Sequence, residues 1–245
     1  SIYEKGQLPT WIESSSAKIE IVNIYGVTPN RMIRALDRTH EKFRWSKLLQ
    51  GPIHALDRYL NKYLRKKTNP LWSEKIDQYV TNLHVKVPSM LLTLPIVELV
   101  LFKYFLNRSN ADYLYISNSS SYINLTKLEK LIQTFPINKV YGGTTDTFDN
   151  IHFQSGANRI LSRDLVEKLV LNFSSWDFSY IEDVAMGKLL LDEEKDSFIV
   201  PRQIFSTKEQ IHAADIVEIR NNVQFRLKSG NLNSRNDIEL MHFLH

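Results

Sequence analysis

The chain of 245 residues contains no cysteine. Disulfides and thiolate metal sites are therefore excluded. Their absence suits a reducing compartment and sets the expectation of a cytoplasmic protein. Long apolar runs are missing as well. The longest, Met90 to Leu106, is interrupted by Pro95, Glu98 and Lys103, whereas a membrane-spanning helix wants ~20 mostly apolar residues. It reads as a buried helix beginning near Pro95, a residue suited to a first helical position. No secretory leader is legible from Ser1 onward. There is no Walker-type phosphate loop and no Ser-His-Asp arrangement. The histidines lack metal-ligand spacing, and His242 and His245 read as a helix end. Internal repeats and low-complexity segments are absent too. Any excess of one sign of charge is small, with 31 Lys and Arg against 27 Asp and Glu and a formal net charge of +4. Without a broad basic surface or a known module, nucleic acid is not expected as a partner.

What is present fits a single α/β domain spanning residues 1–245 with ample length to bury a core. Hydrophobic content of 43% and charged content of 24% are ordinary for a globular protein. Residues 1 to 16 read as a loose arm. Lys18 to Tyr25 alternates and then stays apolar, as a strand does, and Gly26 breaks it. Thr28-Pro29 opens a helix, and Phe43 to Leu49 reads as a second strand. Residues 53 to 82 read as a mostly helical, polar excursion. Within it Arg58, Lys62, Arg65, Lys66 and Lys67 interleave with Tyr59, Leu60, Tyr63 and Leu64. Such a face is either solvated or suited to peripheral membrane contact.

Further strands are expected at Asn82 to Val87, Asp112 to Ile116 and Lys139 to Gly143. A helix is expected at Leu125 to Phe135 with Thr126 as its cap. A C-terminal tail from about 218 carries Val223 to Lys228 as a last strand. Alternation of strands and helices predicts a mostly parallel sheet with helices on both faces. Ligands would then bind at the carboxyl ends of the strands, where loops at Gly26, Asn118 and Gly156 would meet.

The chemistry concentrates in two segments. In Gly156-Ala157-Asn158-Arg159-Ile160-Leu161-Ser162 a small-residue turn runs into an apolar strand. About twenty residues later Glu182-Asp183-Val184-Ala185-Met186-Gly187 puts two carboxylates at a helix start. Paired acids there often only stabilise the helix dipole, by ~0.3–1 kcal/mol. Beside a thin turn, one of them could instead act as a general base. Trp176 and Phe178 precede the acids, as core residues or as a platform for a sugar ring.

These segments resemble the Fringe and β-1,3-galactosyltransferase group of inverting GT-A glycosyltransferases. Ser155 to Ser162 followed by Glu182-Asp183-Val184 carries the likeness. Ala111 to Ile116 and Tyr122 to Leu125 resemble the segments flanking that family's metal motif. The similarity covers roughly residues 80 to 190. Tyr25 to Leu36 is similar to the opening of small bacterial and viral GT-A domains.

The resemblance implies a GT-A fold, a Rossmann-like α/β architecture. It also implies transfer of a sugar from a nucleotide-sugar donor to a hydroxyl of a glycan or a lipid- or protein-linked saccharide. Asp183, with Glu182 beside it, is implied as catalytic base. Tyr25, Gly26 and Val27 would lodge the nucleotide base, with Arg31 or Arg34 at phosphate. Gly156, Ala157 and Trp176 would face the acceptor. Where the family places metal-binding aspartates, this chain has Asn118-Ser119-Ser120. Neutral side chains lack the anionic oxygens that Mn²⁺ or Mg²⁺ prefers. No cofactor is therefore expected, and the donor diphosphate would rest on Asn118, Ser119 and Ser120 with Arg159, Arg226 and Lys228 as cations. Two other readings remain open: a catalytically silent nucleotide- or carbohydrate-binding module, and a retaining transferase in which Asp183 only orients substrate.

Overall fold

The computed structural model describes residues 3–12, 20–26, 70–76, 80–87, 93–190, 195–227 and 236–245. Among them the chain is a mixed α/β protein with strands in three sheets. The central sheet contains β4 (Tyr113–Ser117), β6 (Val140–Phe148), β7 (Ile151–Ser162) and β8 (Asp196–Ile199), in the order β4-β7-β6-β8. β7 runs antiparallel to both its neighbours, and only β6 and β8 are parallel. A second sheet has β3 (Val80–Val85) between a parallel β1 (Ile21–Gly26) and an antiparallel β2 (Trp72–Ile76). In the third, β10 (Gln224–Leu227) lies between an antiparallel β5 (Ser121–Ile123) and a parallel β9 (Arg202–Phe205). The expectation of a mostly parallel sheet is thus corrected to mixed sheets. The physical reason is the tight β6–β7 connection: Asp149 and Asn150 both take positive φ, 53° and 60°, the pattern of a two-residue hairpin turn. A turn that short can only join antiparallel strands.

The core lies on both faces of the central sheet. On one side α1 (Leu94–Arg108) contributes Ile96, Leu99, Phe102 and Phe105. These pack against Leu165, Val166 and Leu169 of α3 (Arg163–Leu171) and against Ala185 and Met186 of α4 (Glu182–Leu189). On the other side Val140 and Ile160 meet Leu125 and Leu128 of α2 (Leu125–Ile132). Pro95 stands in the first turn of α1, as expected. The cap of α2 is Asn124, whose side chain accepts from the Lys127 N–H at 3.0 Å, so Thr126 is corrected as the capping residue.

Two other expectations change. The N-terminal segment is no loose arm: Tyr3–Ile12 is a wide helical turn. Its Trp11 is buried and donates its indole N–H to the Ser121 carbonyl at 3.1 Å. It also packs on the last helix, α7 (Asp237–Leu244), after α5 (Lys208–Ala213) and α6 (Ile216–Asn221). Of the supposed helical excursion, residues 72–76 and 80–82 are strand. Residues 53–69 and the segments expected around Thr28-Pro29 and Phe43 to Leu49 lie outside the described residues. No helix among the described residues is long and apolar enough to cross a membrane.

Between Gly143 and Thr145 the β6–β7 register breaks: Gly143 faces Arg159, but Thr145 faces Gln154. Thr144 alone therefore stands opposite Ser155, Gly156, Ala157 and Asn158, which bulge out of β7. Only glycine fits at Gly143, with φ of 149° and an ideal Cβ 2.1 Å from the Asn158 carbonyl oxygen. The Asn158 side chain pins the bulge by donating to Val200 O at 3.1 Å and Thr144 Oγ1 at 3.3 Å. The expected turn at Gly156 is accordingly a bulge inside a strand, a device that re-aims side chains.

Candidate functional site

Three structures converge on that bulge: the N-terminus of α4, the loop after β4, and one face of the third sheet. α4 brings the acids. Gly156 donates its backbone N–H to Asp183 Oδ2 at 3.3 Å, and Oδ1 accepts from the Val184 N–H at 2.9 Å. Asp183 is 8% exposed and has no counter-ion among the described residues. A carboxylate there is held by backbone N–H groups and by the helix dipole. Gly187 lets α4 lie close on β7, for an ideal Cβ would fall 2.6 Å from the His152 carbonyl oxygen.

Glu182 is next to the bulge too, with Oε1 only 3.1 Å from an ideal Cβ on Gly156. Its Oε2 is shielded from solvent and has no partner. Burial, then the charges of Glu98 and Asp183, push the Glu182 carboxyl up to about 8, against the pull of Arg159. Glu182 therefore keeps its proton at neutral pH, while an unfolded glutamate does not. The folded state then binds the extra proton, and stability falls as pH rises from the usual carboxyl range through about 8. At ~1.4 kcal/mol per unit of pKa shift the loss amounts to a few kcal/mol. Thermal unfolding followed from pH 5 to 9 is expected to show a falling midpoint. Glu182→Gln should flatten that fall. An unchanged slope in the variant would assign the titration elsewhere.

Under the bulge, Arg159 forms a buried ion pair with Glu98 of α1. Arg159 is fully buried, so its expected role at donor phosphate is corrected: its Nη2 pairs with a carboxylate that would otherwise be buried alone, while its Nε and Nη1 are shielded from solvent without a partner. Trp176 is corrected as well. It is 0% exposed, donates its indole N–H to Leu169 O at 3.2 Å, and packs with Phe102, Phe173 and Phe178. It is core, not a sugar platform. Ala157 is also buried, and its carbonyl accepts from Gln224 Nε2 at 2.6 Å.

The expected donor residues meet in part. With the Asn118 carboxamide oriented to satisfy both of its ends, its nitrogen donates to Ser121 Oγ at 2.7 Å. Its oxygen then lies 2.9, 3.1 and 3.3 Å from the three guanidinium nitrogens of Arg226. Ser120 is half-buried and Ser119 exposed in the same loop. Neutral oxygens, one of them facing a guanidinium, do not fit Mn²⁺ or Mg²⁺. Tyr25 and Gly26 end β1 in a different sheet, paired with His84 and Val85. Val27, Arg31, Arg34 and Lys228 lie outside the described residues.

Sequence reading missed two charged residues here. Glu98 was legible as a lone acid inside an apolar helix, which calls for a buried partner. Arg202 carried no motif; only its pairing beside Gln224 on β10 brings it to the site. No protein-family model matches this chain, and no curated protein matches it.

Proposed function

We propose that this domain is an inverting glycosyltransferase of GT-A type, moving a sugar from a nucleotide donor to a hydroxyl of a glycan acceptor. The observation that carries the reading is Asp183: a carboxylate with no counter-ion among the described residues, fixed at a helix N-terminus against the Gly156 bulge. The mixed α/β architecture is compatible with it, and the likeness of Ser155 to Ser162 and Glu182-Asp183-Val184 to the Fringe group supports it.

In the proposed step an acceptor hydroxyl attacks the anomeric carbon as the bond from that carbon to the phosphate oxygen breaks. Asp183 accepts the hydroxyl proton, and the nucleoside diphosphate leaves with the bonding electron pair. A single displacement inverts the anomeric carbon. Protonated Glu182, with an oxygen that lacks a partner, can donate a hydrogen bond to substrate beside the base.

The test is calorimetry with a panel of nucleotide sugars, followed by NMR of the product. One donor should bind and hydrolyse slowly, and its glycoside should have the opposite anomeric configuration. Binding without turnover of any donor, with water or offered acceptors, would make the domain a binding module. A retained configuration would remove Asp183 from the role of base.

A further inference from the structure

The third sheet has two unlike faces. Tyr122, Phe205, Phe225 and Leu227 share one, and it packs with Leu240 and Met241 of α7. The strand register places Ser121, Gln224, Arg226 and Arg202 on the other. Gln224 Nε2 donates to Ser121 Oγ at 2.7 Å and to Ala157 O at 2.6 Å, so this polar face lies against the β7 bulge.

Two guanidinium groups therefore share a half-buried face, and among the described residues neither has a carboxylate partner. Arg202 makes one long contact, from Nη1 to Ser155 Oγ at 3.4 Å. Among the described residues the Arg226 side chain meets only the Asn118 oxygen, at nearly equal distances from all three nitrogens. An atom equidistant from all three cannot lie in the guanidinium plane. It sits over the face, which leaves the in-plane N–H fork unspent. Burial, then the charge of Arg202, lowers the Arg226 pKa, so the pair repels itself in a partly dry place. Beside Arg202, the Tyr115 hydroxyl is shielded from solvent and has no hydrogen-bond partner. Two unpaired cations and an orphaned donor are complementary to one thing, a compact polyanion.

We propose that Arg202 and Arg226, with the Tyr115 hydroxyl, form a diphosphate clamp that neutralises the leaving group by fixed side-chain charge. The anion site follows from these charges alone; its assignment to a donor diphosphate rests on the transferase reading. The clamp spans Asn118, at the position where a metal motif would stand, and Ser155, beside the bulge that meets Asp183.

The probe is inorganic pyrophosphate, with orthophosphate in parallel, titrated calorimetrically into the full chain in excess EDTA. Pyrophosphate should bind more tightly than orthophosphate, raise the unfolding temperature, and weaken with added salt. Arg202→Met and Arg226→Met should each weaken pyrophosphate binding by about 10- to 100-fold, and Asp183→Asn should leave it unchanged. Should a methionine variant fail to fold, Arg226→Lys keeps the charge but loses the fork, and should bind with intermediate affinity. No pyrophosphate binding to the wild-type chain in low salt, or unaltered affinity in folded arginine variants, overturns the clamp. Arginine-dependent binding with no donor turned over sinks the transferase reading alone. Donor turnover that is indifferent to both arginines sinks the clamp alone.

Discussion

Asp183→Asn is expected to lower sugar transfer by about 10²- to 10⁴-fold, the usual worth of a positioned general base, with donor affinity preserved. The substitution is nearly isosteric. The amide oxygen can still accept the Gly156 N–H that now reaches Asp183 Oδ2 at 3.3 Å, which keeps the bulge against α4 but turns the amide NH2 toward the Val184 N–H that Oδ1 now accepts at 2.9 Å. What disappears is the proton acceptor, the bond from the Val184 N–H and a dipole interaction of ~0.3–1 kcal/mol. The fall should therefore sit in kcat, with KM for the donor little changed. A second feature separates this from a generic site defect. Glu182 is the neighbouring acid, and with its carboxyl pushed up to about 8 it is protonated at neutral pH. In the asparagine variant the push from the Asp183 charge is gone, so residual activity should climb as Glu182 ionises over a pH range below about 8. Loss of folding in place of loss of kcat would reduce Asp183 to a structural cap.

Much of the scaffold around this acid was legible. α1 showed itself through Pro95 and an apolar run, and α4 through two carboxylates followed by Val184, Ala185 and Met186. The errors have physical causes. Trp72–Ile76 is an edge strand whose exposed Ser73, Glu74 and Lys75 show no apolar alternation, so its sequence reads as polar helix. The first segment offers few apolar residues, and its Trp11 is ordered by a bond to Ser121, 110 positions away, which no local pattern reveals. Gly156 reads as a turn because small residues surround it. It becomes a bulge only because the strand is paired on both sides of it. Arg159 was the harder error. β7 is covered on both faces, so its polar residues do not mark an outer side, and an arginine within it looks like surface. Glu98 held the missing information: two isolated charges of opposite sign, each inside an apolar run, are expected to find each other.

That pair supports the second large effect. Arg159→Met should destabilise the fold by about 3–5 kcal/mol, because it strands Glu98 in the core without its cation. For a domain of this length the loss corresponds to a fall in Tm of roughly 6–20 °C. Glu98 is only 8% exposed, and its Oε2 already lacks a partner, so solvent cannot substitute for the guanidinium. Replacing both members, Glu98→Leu with Arg159→Met, should recover most of the stability, since a buried ion pair exchanged for apolar groups of similar volume is often neutral. The double-mutant cycle then isolates the coupling between the two. The pair should also matter to the acids above it. Arg159 is the cation that opposes the upward shift at Glu182. Without it the Glu182 carboxyl rises further, and the alkaline limb of the stability profile should move to higher pH in Arg159→Met. A variant with wild-type Tm and an unmoved pH profile would mean that Glu98 holds a proton and that Arg159 is not its counter-ion.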